Sequence, residues 1–450
     1  MKKRAFGLAV AAVVLCLSLC SCSSPVIIRT VDSLLTPPLY YSEYEGLVDA
    51  FHTSVGGNMI LCSPIEGDNL SAITVTDLDG DGIEEGIIFY KDAFESDIAK
   101  FSVFVNEGET WKKRGSYTGY GNEIKSLTLT DFDGDSCKDI LVIWNYSGIN
   151  GGSVFSVYRS ATDHIEYDEV MFQSCDIIRT IDMDGDLKNE IFFISTLIDN
   201  NASTRSALLY KFDKTKFKEI GSAPVDPFVG SYISFCAESV GGNSPLTVYV
   251  DGVKTNNVVI TEAISWDDSK GELTSFFYDE ETGTNTATIR FEQIKCTDID
   301  GDDLVEIPVQ KPFDENVDSA DMLYVTEWTR FYNGRPYTVK RTYVNTEDGY
   351  AVDLDKLPVD EPFVRKQAGG DWSSWSVYTE DDDSPLDNTL FTIVDIPKER
   401  WEKEINSEES GYVTILKKND SVICVKINSN GTNAGIDADS IKKIVIQLPA

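Results

Sequence analysis

The stretch Asp77-Leu78-Asp79-Gly80-Asp81-Gly82-Ile83-Glu84-Glu85 recurs three times in altered form. The other copies are Asp131-Phe132-Asp133-Gly134-Asp135-Ser136-Cys137-Lys138-Asp139, Asp182-Met183-Asp184-Gly185-Asp186-Leu187-Lys188-Asn189-Glu190 and Asp298-Ile299-Asp300-Gly301-Asp302-Asp303-Leu304-Val305-Glu306. Each places carboxylates at positions 1, 3, 5 and 9. Like charges crowded into one short loop repel, and a hard cation coordinated by their oxygens relieves the repulsion. Calcium is the natural occupant, which predicts about four Ca2+ sites.

An EF-hand also opens with acids at 1, 3 and 5, but it requires glycine at 6 and glutamate at 12. Only the first copy has glycine at 6, Gly82, and position 12 is Ile88, Val142, Phe193 or Val309. The EF-hand reading therefore fails. The flanks give the alternative: Ala72–Thr76, Ser126–Thr130 and Asp176–Ile181 alternate or are β-branched, while Gly86–Tyr90, Ile140–Trp144 and Ile191–Ser195 are continuous apolar runs. Such segments read as strands, half-buried before the loop and fully buried after it. The acidic loop therefore links two strands, and its ninth residue opens the second of them.

The loops begin at 77, 131, 182 and 298, spacings of 54, 51 and 116 residues, the last about twice the others. A further repeat without its acidic loop is expected between the third and fourth copies, around Phe228–Phe235 and Val258–Ile260. Each unit also shows a second hairpin, with turns near Asn106–Gly108, Ala161–Asp163, Asp213–Thr215 and Asn333-Gly334. Four strands per roughly 50 residues is the pattern of a propeller blade, giving five units, with a sixth that end segments could supply.

These Asp-x-Asp-Gly-Asp loops between strands resemble the calcium loops of FG-GAP and VCBS-type repeats, the family that includes the integrin alpha-subunit propeller. The resemblance covers residues 58–345. It implies a mainly β fold, a β-propeller of five or more four-stranded blades, with structural calcium in the hairpin loops and partners bound elsewhere. It assigns metal ligation to Asp77, Asp79, Asp81 and Glu85; Asp131, Asp133, Asp135 and Asp139; Asp182, Asp184, Asp186 and Glu190; and Asp298, Asp300, Asp302 and Glu306. Residue 7 (Ile83, Cys137, Lys188, Leu304) would add a backbone carbonyl. Glutamate at position 9 in three copies departs from the family's aspartate.

At the amino end, Lys2-Lys3-Arg4 precedes the apolar run Leu8–Leu15 and then Leu19-Cys20-Ser21-Cys22. A basic start, a short apolar core and small residues before a cut read as a secretory signal over 1–21. Ser21-Cys22 resembles a bacterial lipobox, making Cys22 the lipidated residue; Cys20, or a simply secreted chain, is the alternative. Residues 22–41, with Pro25, Pro37 and Pro38, read as a tether. The predicted location is the extracytoplasmic face of the cell membrane, held by lipid.

The net charge is −36, with 75 acids against 39 lysines and arginines. An acidic field repels phosphates, so nucleic acid is not an expected partner. Six cysteines follow the anchor: Cys62, Cys137, Cys175, Cys236, Cys296 and Cys424. Their wide spacing and apolar contexts read mostly as buried thiols, although an extracytoplasmic site permits disulfides.

The domain organisation expected is 42–345 as an N-terminal helix plus the propeller, then 346–450 as a small α+β domain. Ser42–Glu45 reads as a capping box opening an amphipathic helix through Leu47, Val48, Phe51 and Val55, stopped at Gly56-Gly57. Past 346 come the strand Thr389–Val394, a helix opened by Pro397, and the strands Tyr412–Leu416 and Val422–Ile427. Histidines number two, His52 and His164, and there is no G-x-S-x-G, P-loop or dinucleotide fingerprint. That composition offers little for a Ser-His-Asp triad or a zinc site. Trp372 and Trp375 read as core residues, and Glu380–Asp383 as a solvated loop. The functional expectation is a non-enzymatic calcium-binding module that contacts a protein or cell-wall glycan, the alternative being a surface polysaccharide hydrolase or lyase.

Overall fold

A computed structural model describes residues 44–448 apart from 57, 95, 109, 147–151, 161–165, 200–201, 240–245, 313–322, 333–334, 360–361, 368–373, 380–387 and 406–410. The signal, Cys22, the tether, Ser42, His164, Trp372 and Glu380–Asp383 lie outside the described residues.

The fold is mainly β, and the described residues form six antiparallel sheets of four or five strands. The first contains Met59–Leu61, Ile73–Thr76, Glu85–Asp92, Ser96–Asn106 and Trp111–Thr118. The second runs Glu123–Thr130, Asp139–Tyr146, Gly152–Ser160, Tyr167–Cys175; the third Ile177–Ile181, Glu190–Asp199, Ala202–Asp213, Lys216–Pro224. In the second and third, strand order equals chain order, each strand being joined to the next as a meander.

The unit expected without an acidic loop is a fourth such sheet: Val229–Ser239, Leu246–Lys254, Val259–Asp267 and Glu272–Ser275. The fifth orders Ile307–Pro312, Tyr324–Tyr332, Arg335–Asn345, Tyr350–Asp353 and Val445–Gln447. The sixth orders Phe363–Gln367, Ser374–Tyr378, Thr389–Pro397, Ser421–Ile427 and Tyr412–Lys417.

Alternation along each strand sends side chains to opposite faces, so a central strand can serve two cores at once. Ile87 and Phe89 pack with Ile140, Val142 and Trp144 of the second sheet. Their neighbours Ile88 and Tyr90 pack with Leu47 and Phe51 of helix α1, Glu45–Val55. Further cores join the second sheet to the third through Phe155 and Phe193, and the third to the fourth through Ile194 and Val250. Ala263 and Ile307 join the fourth to the fifth, and Tyr343 and Phe391 the fifth to the sixth. The sheets therefore stack in chain order. Helix α1 covers the first sheet on the side away from the second, and Trp401 packs on Val394, Ile396 and Val422 of the sixth.

Two expectations are corrected. Residues 346–450 do not stand apart from the preceding sheets: Tyr350–Asp353 pairs with Arg335–Asn345, and Ile441 and Ile444 share a core with Tyr343. The other edge of Tyr350–Asp353 is satisfied by the returning strand Val445–Gln447. Helix α1 begins at Glu45 after Tyr44, with no side-chain cap there, so its start owes more to burial of Leu47 and Phe51 than to a capping box. Trp375 is buried and meets Tyr350 edge-on at 5.9 Å, a core role.

Candidate metal centres

All four acidic loops close on the same register. Thr76 pairs with Glu85, Thr130 with Asp139 and Ile181 with Glu190, while Thr297 bridges Glu306. In the fourth sheet the first strand ends at Ser239 opposite Leu246, and no acid opens the second strand.

Within a loop, position 1 holds the turn by accepting two or three backbone N–H bonds. Asp77 accepts from Gly80 at 2.7 Å and Gly82 at 3.0 Å, and Asp131 from Gly134 at 2.7 Å and Ser136 at 2.9 Å. Asp182 accepts from Gly185 and Leu187, and Asp298 from Gly301 and Asp303. Bending the chain back on one carboxylate requires left-handed backbone at positions 4 and 6. Position 4 is always glycine, at φ 77 to 84°, the conformation glycine adopts without a Cβ clash. Position 6 is left-handed even as Ser136, Leu187 and Asp303, so three loops carry backbone strain that their geometry demands.

Position 9 lies beneath the loop and accepts from the N–H of position 2. The pairs are Leu78 to Glu85 at 2.8 Å, Phe132 to Asp139 at 3.1 Å, Met183 to Glu190 at 2.9 Å and Ile299 to Glu306 at 2.9 Å. These four acids are 5, 1, 0 and 0% exposed. Burial raises the Glu85 and Glu190 carboxyls to about 7 and Asp139 to about 6, with the neighbouring loop aspartates pushing the same way. Burial also raises Glu306. By contrast, N–H groups of the turn hold Asp131 and Asp298 below the ordinary range despite desolvation. A buried acid whose charge is disfavoured calls for a proton or a cation.

Carboxylate oxygens of Asp77, Asp79 and Glu85 converge within 4.8 Å of one another, as do those of Asp182, Asp184 and Glu190. In the second and fourth loops the converging sets are Asp131, Asp133, Asp135 and Asp298, Asp300, Asp302. Asp81 and Asp186 stand outside their sets and accept from the N–H of residue 7, Ile83 at 2.7 Å and Lys188 at 3.0 Å. Asp139 and Glu306 are turned to arginine instead.

That arginine belongs to a feature the sequence reading missed. The strand paired with the one that follows the acidic loop sends a basic residue over the position-9 acid: Arg159 lies 3.0 Å from Asp139 and 2.6 Å from Asp133. Lys211 pairs with Asp184, lies 2.9 Å from Asp186 and 3.4 Å from Glu190; Arg330 pairs with Glu306 and Asp302 and lies 3.4 Å from Asp300. Each stands one residue past the strand partner of position 10, since Ile140 pairs with Tyr158, Ile191 with Tyr210 and Ile307 with Thr329. In the first sheet Gly86 pairs with Phe104, which puts Val105 at that place. Only the first loop lacks a built-in cation.

The donor set fits a hard divalent ion in being all oxygen, although Glu190 Oε1 faces Lys211 at 3.4 Å and Glu306 Oε1 pairs with Arg330. Adjacent loops also touch, Cys137 Sγ reaching the Asp79 carbonyl at 3.3 Å and Lys188 Nζ the Asp133 carbonyl at 2.7 Å. The first three loops thus form one row.

No protein-family model and no curated protein matches the chain. Among solved structures it is similar to a candidate 6-phosphogluconolactonase from Bacteroides fragilis, at 10% identity, TM-score 0.27, over 74% of this chain and 93% of that one. A likeness of that size decides neither fold nor function.

Proposed function

We propose that the chain is a lipid-anchored, extracytoplasmic calcium-binding protein whose sheets are propeller-type blades, and that it serves as a binding or adhesion module at the cell envelope. One observation carries the reading: four loops close on the same register, each with three carboxylates whose oxygens converge and with a buried acid at position 9. Calcium is preferred over magnesium because the ligand set is rich in carboxylates on a turn that can flex, while magnesium keeps its waters. The blade reading is supported by the stacking of sheet upon sheet in chain order.

The ions would fix the turns and leave the opposite blade edges and the sheet faces free for a protein or glycan. In the groove lined by Glu66, Asp68, Lys125, Asp176 and Arg179, Asp176 lies 3.1 Å from Arg205 and Glu66 lies 3.9 Å from Lys125. Paired charges of this kind suit a surface more than the acid and base of glycoside cleavage. Among the described residues no helix is long and apolar enough to cross a membrane, so in this reading membrane attachment rests on Cys22.

The experiment is fractionation of cells expressing the full chain and its Cys22→Ser variant, with binding of the released protein to envelope preparations scored with and without calcium. The variant is expected to leave the membrane fraction or to accumulate uncleaved, because the acyl chains supply the attachment. The released form is expected to bind envelope only with calcium present. A cleaved variant that stays with membranes after high-salt washing would contradict the anchor, and calcium-independent binding would contradict the role given to the loops.

A further inference from the structure

Cys236 and Cys296 come from separate parts of the fold. Cys236 sits in the strand Val229–Ser239, and Cys296 sits two residues before the fourth acidic loop. Their Sγ atoms are 3.2 Å apart across 60 residues of chain. Cys296 is buried and Cys236 half-buried, so a reagent reaches the pair from one side. The backbone around both is held: the Cys296 N–H donates to Asp251 Oδ2 at 2.8 Å, and Asp251 is itself paired with buried Arg290 at 2.5 Å. Two residues along, on the same face of the strand as Cys236, Glu238 accepts from the Val305 N–H inside the fourth loop and from Tyr249 Oη at 2.6 Å. The strand therefore meets the chain on both sides of that loop, at Cys296 and at Val305.

We propose that Cys236 and Cys296 form a disulfide, made by exchange with a disulfide oxidant, that clamps the fourth sheet to the base of the fourth acidic loop. The half-buried Cys236, as thiolate, attacks one sulfur of the oxidant; the oxidant's S–S bond breaks and one of its thiols departs. Cys296, as thiolate, then attacks Cys236 Sγ, which forms the protein disulfide and expels the second thiol. Both electrons go to the oxidant, whose two departing thiolates take up the two protons released by the cysteines, so that it leaves as two thiols. Closing a loop of this length restricts the unfolded chain strongly, so the oxidised form is the more stable one. The clamp does not depend on what the loop binds.

The test treats the purified full chain with oxidised glutathione, alkylates it under denaturing conditions and maps its peptides. The Cys236 and Cys296 peptides are expected to be joined and unalkylated, while Cys62, Cys137, Cys175 and Cys424 take the label. The melting temperature is expected to rise by several degrees, to fall back with dithiothreitol, and not to respond in Cys236→Ser. The proposal is overturned if both thiols are alkylated after oxidation, if a glutathione adduct persists on Cys236 beside a labelled Cys296, or if Cys236→Ser gains the same rise.

Discussion

Removing calcium with EGTA is expected to lower the melting temperature of the purified protein more than any single surface substitution. Each loop has three converging carboxylates, which in the first and third include the buried position-9 acid, and without the ion that charge works against the turn. Extracellular calcium modules bind at roughly 10⁻⁴ to 10⁻³ M. At about 100 times the dissociation constant an independent site contributes about 2.7 kcal/mol. The first loop is expected to contribute the largest share, because Val105 stands where the other loops have Arg159, Lys211 or Arg330. Scanning calorimetry with calcium and with chelator reads the difference. A melting temperature that does not move would contradict metal binding by the loops.

Arg159→Met is expected to cost about 3–5 kcal/mol in calcium-free buffer, the size associated with removing one partner of a buried ion pair. It leaves Asp139, 1% exposed, without its guanidinium, and removes the 2.6 Å contact to Asp133. Loss of the packing of Arg159 over the Phe212 ring, 3.8 Å from its centroid, adds a smaller amount. Saturating calcium is expected to restore most of the loss, because the ion takes over neutralisation of the same acids. Urea unfolding of variant and parent in both buffers gives the four stabilities needed. An equal loss with and without calcium would show that the arginine is a packing residue and does not stand in for a cation.

The loops were legible in the sequence because chemistry and spacing coincide there: acids at 1, 3, 5 and 9, glycine at 4, and apolar runs on both sides. The register followed, since the ninth acid had to open a buried strand. The fourth sheet was legible from spacing alone, even though it carries no acidic loop. The basic residues were not, because they lie on the far side of a hairpin of variable length. Arg159, Lys211 and Arg330 follow their position-9 acids by 20, 21 and 24 residues, and only the sheet register makes the three equivalent.

The end of the chain misled for a related reason. The strands Thr389–Val394, Tyr412–Leu416 and Val422–Ile427 with the helix opened by Pro397 read locally as a small α+β unit, and local pattern carries no sign that Tyr350–Asp353 joins Arg335–Asn345 or that Val445–Gln447 returns to its other edge. Strand pairing across some 90 residues is decided by which edge is left open, and no periodicity encodes that. The contact of Cys236 with Cys296 was hidden in the same way, since six widely spaced cysteines admit many pairings.

The central claim is that four loops, and not the fourth sheet, hold calcium. Counting ions on the protein at saturating calcium, by equilibrium dialysis with elemental analysis, tests it most directly. The expected count is four per chain, with the first loop filling at the lowest calcium and Asp79→Ala reducing the count to three; any count other than four on the parent chain, including none, would contradict the account.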